Sequence, residues 1–307
     1  MYEHAAVSAL ILTYNEALNI HAALESLSPW CGDIHVVDSG STDCTRDIAA
    51  KFTSHVHVHA YIDHSTQIHW ALTNLQFANE WVLLVDADFV ISKHLRHQIQ
   101  AAVRNAPTKV AGFFVVHRYV FRGKEIRFGG TKKWWLRLVR HSRTSVDGSE
   151  LVDFRLAVDG ETRKLTGILY EDNKNEYDIS FWIEKHQKFS TRMAWEEFLR
   201  RKGTLSWRYR PRLMGDPDQR IVWFKERWYR LPLYVRPFLY FGYRYILRLG
   251  ILDGWNGFLF HFLQGFWFRL IVDVKIGDCA RQLRVAGMTE RDLVDRAGRF
   301  EHMSPES

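Results

Sequence analysis

Apolar residues in the first third of the chain switch between two spacings. Residues 7–13, 34–38, 56–58 and 81–85 are short, largely β-branched runs that read as strands. Between them the apolar positions fall at helical intervals: Ile20, Leu24 and Leu27, then Ile48, Ala49 and Phe52, then Ala71 and Leu72, then Leu95, Ile99 and Val103. Asn15, Ser65 and Ser92 stand where side-chain caps of the first, third and fourth of these helices are expected. Such alternation predicts an α/β fold with a mostly parallel sheet covered by helices on both faces.

From Val110 the rhythm changes. Residues 113–116, 132–140 and 163–170 look like strands without long helices between them, which predicts a mixed extension of the sheet. Helical spacing returns near Ile179 with Phe181, Trp182, Lys185 and Phe189, and His186 among these apolar neighbours reads as structural. Residues 208–218 read as a linker, with Asp216-Pro217-Asp218 as a turn. Beyond it lie two stretches rich in aromatics, 221–250 and 251–276. The expected organisation is 1–110 and 111–190 as two halves of one domain, 191–276 as a C-terminal aromatic and basic helical region, and 277–307 as a tail.

Composition sharpens this picture in the last third. With 307 residues, 47% of them apolar, the chain can bury one large core or two smaller ones. The net charge of +7 is unevenly spread, because residues 192–276 carry 16 Lys/Arg against 7 Asp/Glu, together with six of the 12 tryptophans. Basic plus aromatic composition suits a surface that meets anionic lipid headgroups. Nucleic acid would draw on the same residue types, but no nucleic-acid-binding motif accompanies them, so no such partner is expected. The longest nearly uncharged stretch, 257–268, would reach roughly 18 Å as a helix, short of the roughly 30 Å hydrocarbon core. Helices lying on a membrane are therefore expected, with a buried helical pair as the alternative. Cys31, Cys44 and Cys279 are odd in number and widely spaced, which argues for a reducing compartment and against a disulfide framework or a zinc site. Met1-Tyr2-Glu3-His4 runs almost directly into a strand and reads as no signal peptide.

Two strand-like runs end in carboxylates. Residues 81–85 are followed by Asp86-Ala87-Asp88, and residues 34–37 by Asp38-Ser39-Gly40-Ser41-Thr42-Asp43. If the two runs are neighbouring parallel strands, these acids share the C-terminal sheet edge where α/β proteins place ligands. Residues two apart on an extended chain point the same way, so Asp86 and Asp88 can hold a divalent metal against a nucleotide diphosphate. The plainer alternative is a solvated loop in which Asp88 or Ser92 caps the next helix. Asp38 can accept hydrogen bonds from a base or ribose, or merely close its own loop, and the following Ser/Gly/Thr segment offers backbone donors. Asn15 and Glu16 follow the first strand at the same edge and would complete a nucleotide cleft. Lys132, Lys133, Arg137, Arg140 and Arg143 surround Trp134-Trp135, either as a phosphate-binding run or as a solvated strand face.

The segments Val7-Ser-Ala-Leu-Ile-Leu-Thr-Tyr-Asn-Glu16, Val36-Val-Asp-Ser-Gly-Ser-Thr-Asp43 and Val85-Asp-Ala-Asp88 resemble family 2 glycosyltransferases with a GT-A fold. Within that family the chain is most similar to bacterial enzymes of the lipopolysaccharide-core glucosyltransferase type. The similarity continues through Phe128-Gly-Gly130, Glu150-Leu-Val-Asp153, Glu171-Asp-Asn173, Trp182-Ile-Glu-Lys-His186, Arg236-Pro-Phe-Leu239 and Leu252-Asp-Gly254.

The resemblance implies an inverting transfer from a nucleotide-sugar donor, UDP foremost, to a lipid-linked saccharide or lipopolysaccharide-core acceptor. The expected setting is peripheral, on the cytoplasmic face of a bacterial inner membrane. It implies Mg²⁺ or Mn²⁺ at Asp88 with Asp86, and nucleotide contacts from Thr13, Asn15, Glu16, Asp38, Gln67 and Asp86. Residues 1–110 become the nucleotide-sugar-binding half, 111–190 the acceptor half and 191–276 membrane-associated helices. Asp153 is the best remaining general base, ahead of Glu150 and Asp172.

Three departures stand out. Relatives commonly carry Gln-Arg-Asn where this chain has Gln67-Ile68-His69, with His69 the conceivable substitute for the missing cation. They tend to have an acid where Phe89 stands, and an acidic or histidine position where Phe154-Arg155 stands. A weak or inactive nucleotide-binding scaffold is therefore the alternative reading. A metal-dependent nucleotide hydrolase would need more clustered carboxylates or histidines than the pattern supplies.

Overall fold

A computed structural model describes residues 5–148, 150, 152, 154–287, 289 and 292. The first half contains β1 (Ala5–Thr13), α1 (Ile20–Leu27), β2 (Cys31–Asp38), α2 (Thr45–Ala49), β3 (His55–Val58), α3 (His64–Asn74) and β4 (Trp81–Asp86). There follow β5 (Phe89–Ile91), α4 (Lys93–Asn105), β6 (Val110–Phe121), β7 (Lys124–Glu125), β8 (Lys133–Arg140), β9 (Thr144–Asp147), β10 (Arg155–Val158) and β11 (Glu161–Glu171). The remainder is helical: α5 (Ile179–Arg201), α6 (Pro217–Arg230), α7 (Arg236–Gly242), α8 (Gly254–Phe260) and α9 (Phe268–Ala286).

The chain divides into two compact units. The first comprises Met1–Glu125, Lys132–Val146 and Arg155–Tyr177; the second comprises Ile126–Thr131, Asp147–Phe154 and Asp178–Ser307.

In the first unit, β3-β2-β1-β4-β8-β6-β11-β5 lie side by side in one sheet, with β7 paired to β6. The expected α/β fold is the one observed. β3, β2, β1 and β4 are mutually parallel, while β8 runs antiparallel to both β4 and β6. The mixed extension after Val110 follows from that reversal. The core joins Val7, Ala9 and Ile11 of β1 to Ile20, Leu24 and Leu27 of α1 and to Leu83 and Val85 of β4. The carboxylate-ended runs are not neighbours as the sequence suggested, because β1 lies between β2 and β4.

Two helix starts also differ from expectation. Asn15 is left-handed (φ 52°) and caps nothing; α1 begins only at Ile20. Helix α3 is capped by Asp63, whose carboxylate accepts from the Thr66 amide at 2.6 Å, and not by Ser65. Ser92 caps α4 as read, accepting from the Leu95 amide at 3.1 Å.

In the second unit, Ala194 of α5 packs with Phe268, Val272 and Ile276 of α9. Arg236 at the start of α7 is fully buried; it donates to Glu197 of α5 (2.6 and 3.0 Å) and to Asp273 of α9 (2.9 Å). One guanidinium therefore ties three helices together. Asp216, expected in a turn, instead caps α6 with Pro217 in the first turn, where a proline costs no hydrogen bond.

The loop Phe128-Gly129-Gly130 docks within this unit. The Arg127 and Phe128 amides donate to Asp253 (3.1 and 2.9 Å), and the Gly129 amide donates to the Arg248 carbonyl at 2.8 Å. Gly129 has φ +73°, and a Cβ there would sit 2.0 Å from the His261 ring, so only glycine fits. The helical run through α8 and α9 is longer than the uncharged stretch predicted. A continuous segment Gly250–Val285, 36 residues, is long and apolar enough to cross a membrane by length and composition.

Candidate active site

The C-terminal ends of β2, β1 and β4 supply the acids. In register, Asp38 of β2 lies opposite Thr13 of β1, and Asp86 of β4 lies opposite Leu12. The two residues thus flank the tip of β1, their backbones roughly 10 Å apart at two strand spacings and their side chains starting from opposite faces of the sheet. Asp88 follows in the turn between β4 and β5. The acids are therefore gathered at one sheet edge although their strands are not adjacent.

Asp38 is fully buried. Its Oδ1 accepts from the Gly40 and Ser41 amides (3.0 and 2.8 Å), and its Oδ2 accepts from the Ser41 hydroxyl. The carboxylate therefore shapes the loop after β2. That loop is pinned to the one after β1: the Asn15 amide donates to Ser41 Oγ at 2.8 Å, and Asn15 Oδ1 accepts from the Thr42 amide at 2.8 Å. The left-handed backbone at Asn15 serves this clasp, a conformation that asparagine tolerates better than most residues. Thr13 Oγ1 is buried and has no hydrogen-bond partner among the described residues.

Gln67, on the buried side of α3, donates to Ser39 Oγ and to the His59 carbonyl, both at 3.2 Å, while its own carbonyl meets His59 Nδ1 at 2.7 Å. Ile68 beside it is buried in the core, and His69 is exposed. One turn before Ile68, α3 brings to the site a residue the sequence reading passed over. His64 Nε2 lies 3.6 Å from Asp86 Oδ1.

Asp86 has a second neighbour, and this one is a cation. Arg137, arriving on β8, donates to its Oδ2 at 3.2 Å. Burial would raise the Asp86 carboxyl, but the Arg137 guanidinium, then the contact with His64, outweighs it and holds the group far below the usual carboxylate range. Arg137 and Arg140 are both buried, Arg140 donating to the Val110 carbonyl at 2.8 Å, whereas Lys132 and Lys133 are exposed, so only the first end of the basic run is a solvated strand face. Further along the floor, His117 of β6 stacks on Trp135 at 3.9 Å and meets Glu171 at 2.7 Å through Nε2. Burial, reinforced by Lys133 and Arg137, keeps that imidazole neutral.

Asp88 Oδ2 accepts from the Asn173 amide group at 3.0 Å. Asn173 Oδ1 accepts in turn from Asn19 at 3.2 Å, and Glu16 accepts from Asn19 and, at 3.3 Å, from Asn175. This amide chain joins the Asp-Ala-Asp turn to the loop after β1. Neither Asn19 nor the 173–175 segment was singled out as a site residue from sequence, although Glu171-Asp-Asn173 carried part of the resemblance. Of the candidate bases, Asp172 accepts from the Tyr177 hydroxyl at 2.9 Å, and Glu150 is buried and paired with Lys225 at 3.2 Å. Asp153 lies outside the described residues. Asp86 and Asp88 offer oxygen donors only, the ligand type that suits Mg²⁺ or Mn²⁺.

Residues 8–154 match the sequence model of glycosyl transferase family 2. The match spans just under half of the chain, so it is a similarity to that family over this segment. An uncharacterized glycosyltransferase of Rickettsia bellii is 37% identical over 94 residues, which cover 31% of this chain and 31% of that protein. Another from Rickettsia conorii is 35% identical over 94 residues, covering 31% of this chain and 33% of that protein. The chain thus aligns with about a third of the length of these relatives. Among solved structures, glucosyl-3-phosphoglycerate synthase from Mycobacterium tuberculosis with Mn²⁺ and UDP-glucose is 18% identical. That likeness covers 36% of this chain and 43% of the other at a TM-score of 0.32, too distant to transfer any residue's role. The matched segment contains all the acids gathered at the sheet edge.

Proposed function

We propose that the chain is an inverting glycosyltransferase that moves a sugar from a nucleoside diphosphate, UDP foremost, to a lipid-linked saccharide or lipopolysaccharide core. One observation carries this reading: Asp38, Asp86 and Asp88 all stand at the C-terminal ends of β2 and β4, on either side of β1, inside the segment that matches the family. Thr13, Asn15, Glu16 and Asp38 form the nucleotide side of that edge, with Gln67 holding the loop after β2. Asp88 and Asp86 would hold Mg²⁺ or Mn²⁺, which supplies positive charge against the leaving diphosphate. Arg137 adds the chain's own positive charge at the same place and becomes available to a phosphate whenever Asp86 takes another partner.

The displacement needs a base on the acceptor side. The acceptor hydroxyl loses its proton to that base as its oxygen bonds to the anomeric carbon and the bond from that carbon to the diphosphate breaks. Asp153 is our candidate. Glu150 and Asp172 are weaker candidates because Lys225 and the Tyr177 hydroxyl already engage them.

The test is Asp88→Ala. Transfer is expected to fall by about 100- to 1000-fold, with loss of metal-dependent UDP binding. UDP binding that stays unchanged with and without metal in this variant overturns the assignment. A catalytically silent nucleotide-binding protein is favoured by one observation, the apolar Ile68 where relatives carry a cation. UDP-sugar that binds without any release of UDP selects that reading.

For the second unit we infer a peripheral site on the cytoplasmic face of the inner membrane. Ile246, Leu247 and Trp255 are 64%, 74% and 70% exposed, and Arg248 beside them is exposed too. Bare apolar side chains next to arginine fit an anionic lipid surface. Sedimentation with anionic vesicles, weakening as salt rises, is the expected outcome; no vesicle binding at low salt overturns it.

A further inference from the structure

The opposite ends of the same strands carry a second cluster. Asp33 and His35 are two apart on β2, and His55 and His57 are two apart on β3, so each pair projects from one face. The register sets His35 directly opposite His55. One ring nitrogen from each of His35 and His55 and one oxygen of Asp33 lie within 4.8 Å of one another. His35 Nε2 is 3.0 Å from Asp33 Oδ1, and His55 Nδ1 is 3.5 Å from the same oxygen. Tetrahedral ligands about 2.0–2.1 Å from a zinc-type ion stand roughly 3.3 Å apart, so these separations need little adjustment.

The surroundings are already arranged as an outer shell. Asp33 Oδ2 accepts from the Ser8 hydroxyl and, at 2.8 Å, from the Ala78 amide, which leaves Oδ1 facing the histidines. His35 Nδ1 meets His57 Nε2 at 3.2 Å, so when a metal replaces the Nε2 proton that Asp33 accepts, His57 can hold a proton on His35 Nδ1.

We propose that Asp33, His35 and His55 form a second metal site, with His57 as the hydrogen-bonding partner of His35, for a transition ion such as Zn²⁺. Two imidazoles and one carboxylate select Zn²⁺, Co²⁺, Ni²⁺ or Cu²⁺ over Mg²⁺. The site lies five residues before Asp38 on β2, roughly 17 Å away along the strand, and is separate from the oxygen-only edge. Bound there, an ion would clamp β3, a four-residue strand at the end of the sheet, to β2. Cysteine spacing gave no hint of a zinc site because the ligands are histidines whose pairing requires the parallel register.

The experiment uses the full chain, stripped with a chelator and titrated with Co²⁺ without nucleotide. One equivalent should give the visible absorption of low-coordinate Co²⁺, displaced by Zn²⁺ and insensitive to Mg²⁺. His55→Ala should weaken binding about 100-fold and His57→Ala about tenfold. Asp88→Ala and His21→Ala, the latter a surface histidine beside Glu25, should leave the titration unchanged. Zn²⁺ should also raise the melting midpoint of the unmodified chain, reversibly with chelator, a readout that needs no variant. No absorption band, no rise in melting midpoint, or a band of equal affinity in His55→Ala overturns the proposal.

Discussion

Of the arginines that neutralise carboxylates in this molecule, Arg137 and Arg236 do so under opposite conditions. Arg137 meets Asp86 at a sheet edge, where the carboxylate side chain keeps 24% of its surface open to solvent. Arg236 meets Glu197 and Asp273 where both Arg236 and Asp273 are wholly enclosed. The edge pair can be exchanged for a ligand because water and solutes reach it. The enclosed trio has no such exit, so its charge serves only to fasten α5, α7 and α9. The same chemical pairing is thus a replaceable contact in one unit and a fixed one in the other.

Substitutions at the two arginines should separate these roles. Arg236→Ala takes the countercharge from the enclosed Asp273, while Glu197 keeps Arg201 at 2.8 Å, and should cost about 3–5 kcal/mol in urea denaturation of the chain. Arg137→Ala should cost less, about 1–2 kcal/mol, since solvent can take over part of the solvation of Asp86. It should nevertheless lower sugar transfer by roughly tenfold or more, through the lost positive charge at the diphosphate. The sign of its pH effect is fixed by the depressed Asp86 carboxyl. The stabilisation is present above the ordinary carboxylate pKa of about 3.9 and is lost as pH falls through the native value. Removing Arg137 raises that native value, so the acid loss still begins near the ordinary carboxylate pKa but is smaller and complete at a higher pH. Equal destabilisation by the two variants, with transfer intact in Arg137→Ala, would break the distinction.

A third titrating group sharpens it further. His261 is enclosed with neither ring nitrogen bonded among the described residues, and burial, then Arg244, pushes it down to about 3. An unfolded chain takes up this proton near pH 6.5, so stability should decline as pH drops from about 6.5 toward 3. His261→Leu should flatten that decline in melting midpoint measured against pH. The smallest effect belongs to the surface pair Lys188–Glu184, 2.8 Å apart with both side chains more than half exposed. Glu184→Gln should change stability by about 0.5 kcal/mol or less.

How much of this was legible beforehand depended on distance along the chain. The strands ending at Asp38 and Asp86 announce themselves through local apolar runs, and so does the Ser92 cap. Arg137 was visible as one member of a basic run, but its pairing with Asp86 spans 51 residues and depends on β8 turning antiparallel beside β4. His64 was hidden for another reason. The matching cation was sought at Ile68 and His69, whereas helical geometry lets a residue one turn earlier reach the same carboxylate. Asn15 looked like a cap because its residue type favours caps, yet its side chain is committed to the Thr42 amide. The long helical run beyond Gly250 was underestimated because Arg269 was taken as its stop. That guanidinium instead lies against Trp228, Tyr240 and Phe268 and its chain carries on as helix.

The three thiols differ sharply in reach. Cys31 and Cys279 are enclosed, their thiols pushed up by burial to about 12 and about 11, whereas Cys44 is exposed just ahead of α2. Since alkylating reagents attack the thiolate of an accessible cysteine, a maleimide dye should attach at Cys44 in the unmodified chain. It would then sit two residues past Thr42, on the loop that Asn15 clasps, and its fluorescence would follow the arrival of a nucleotide without any engineered handle.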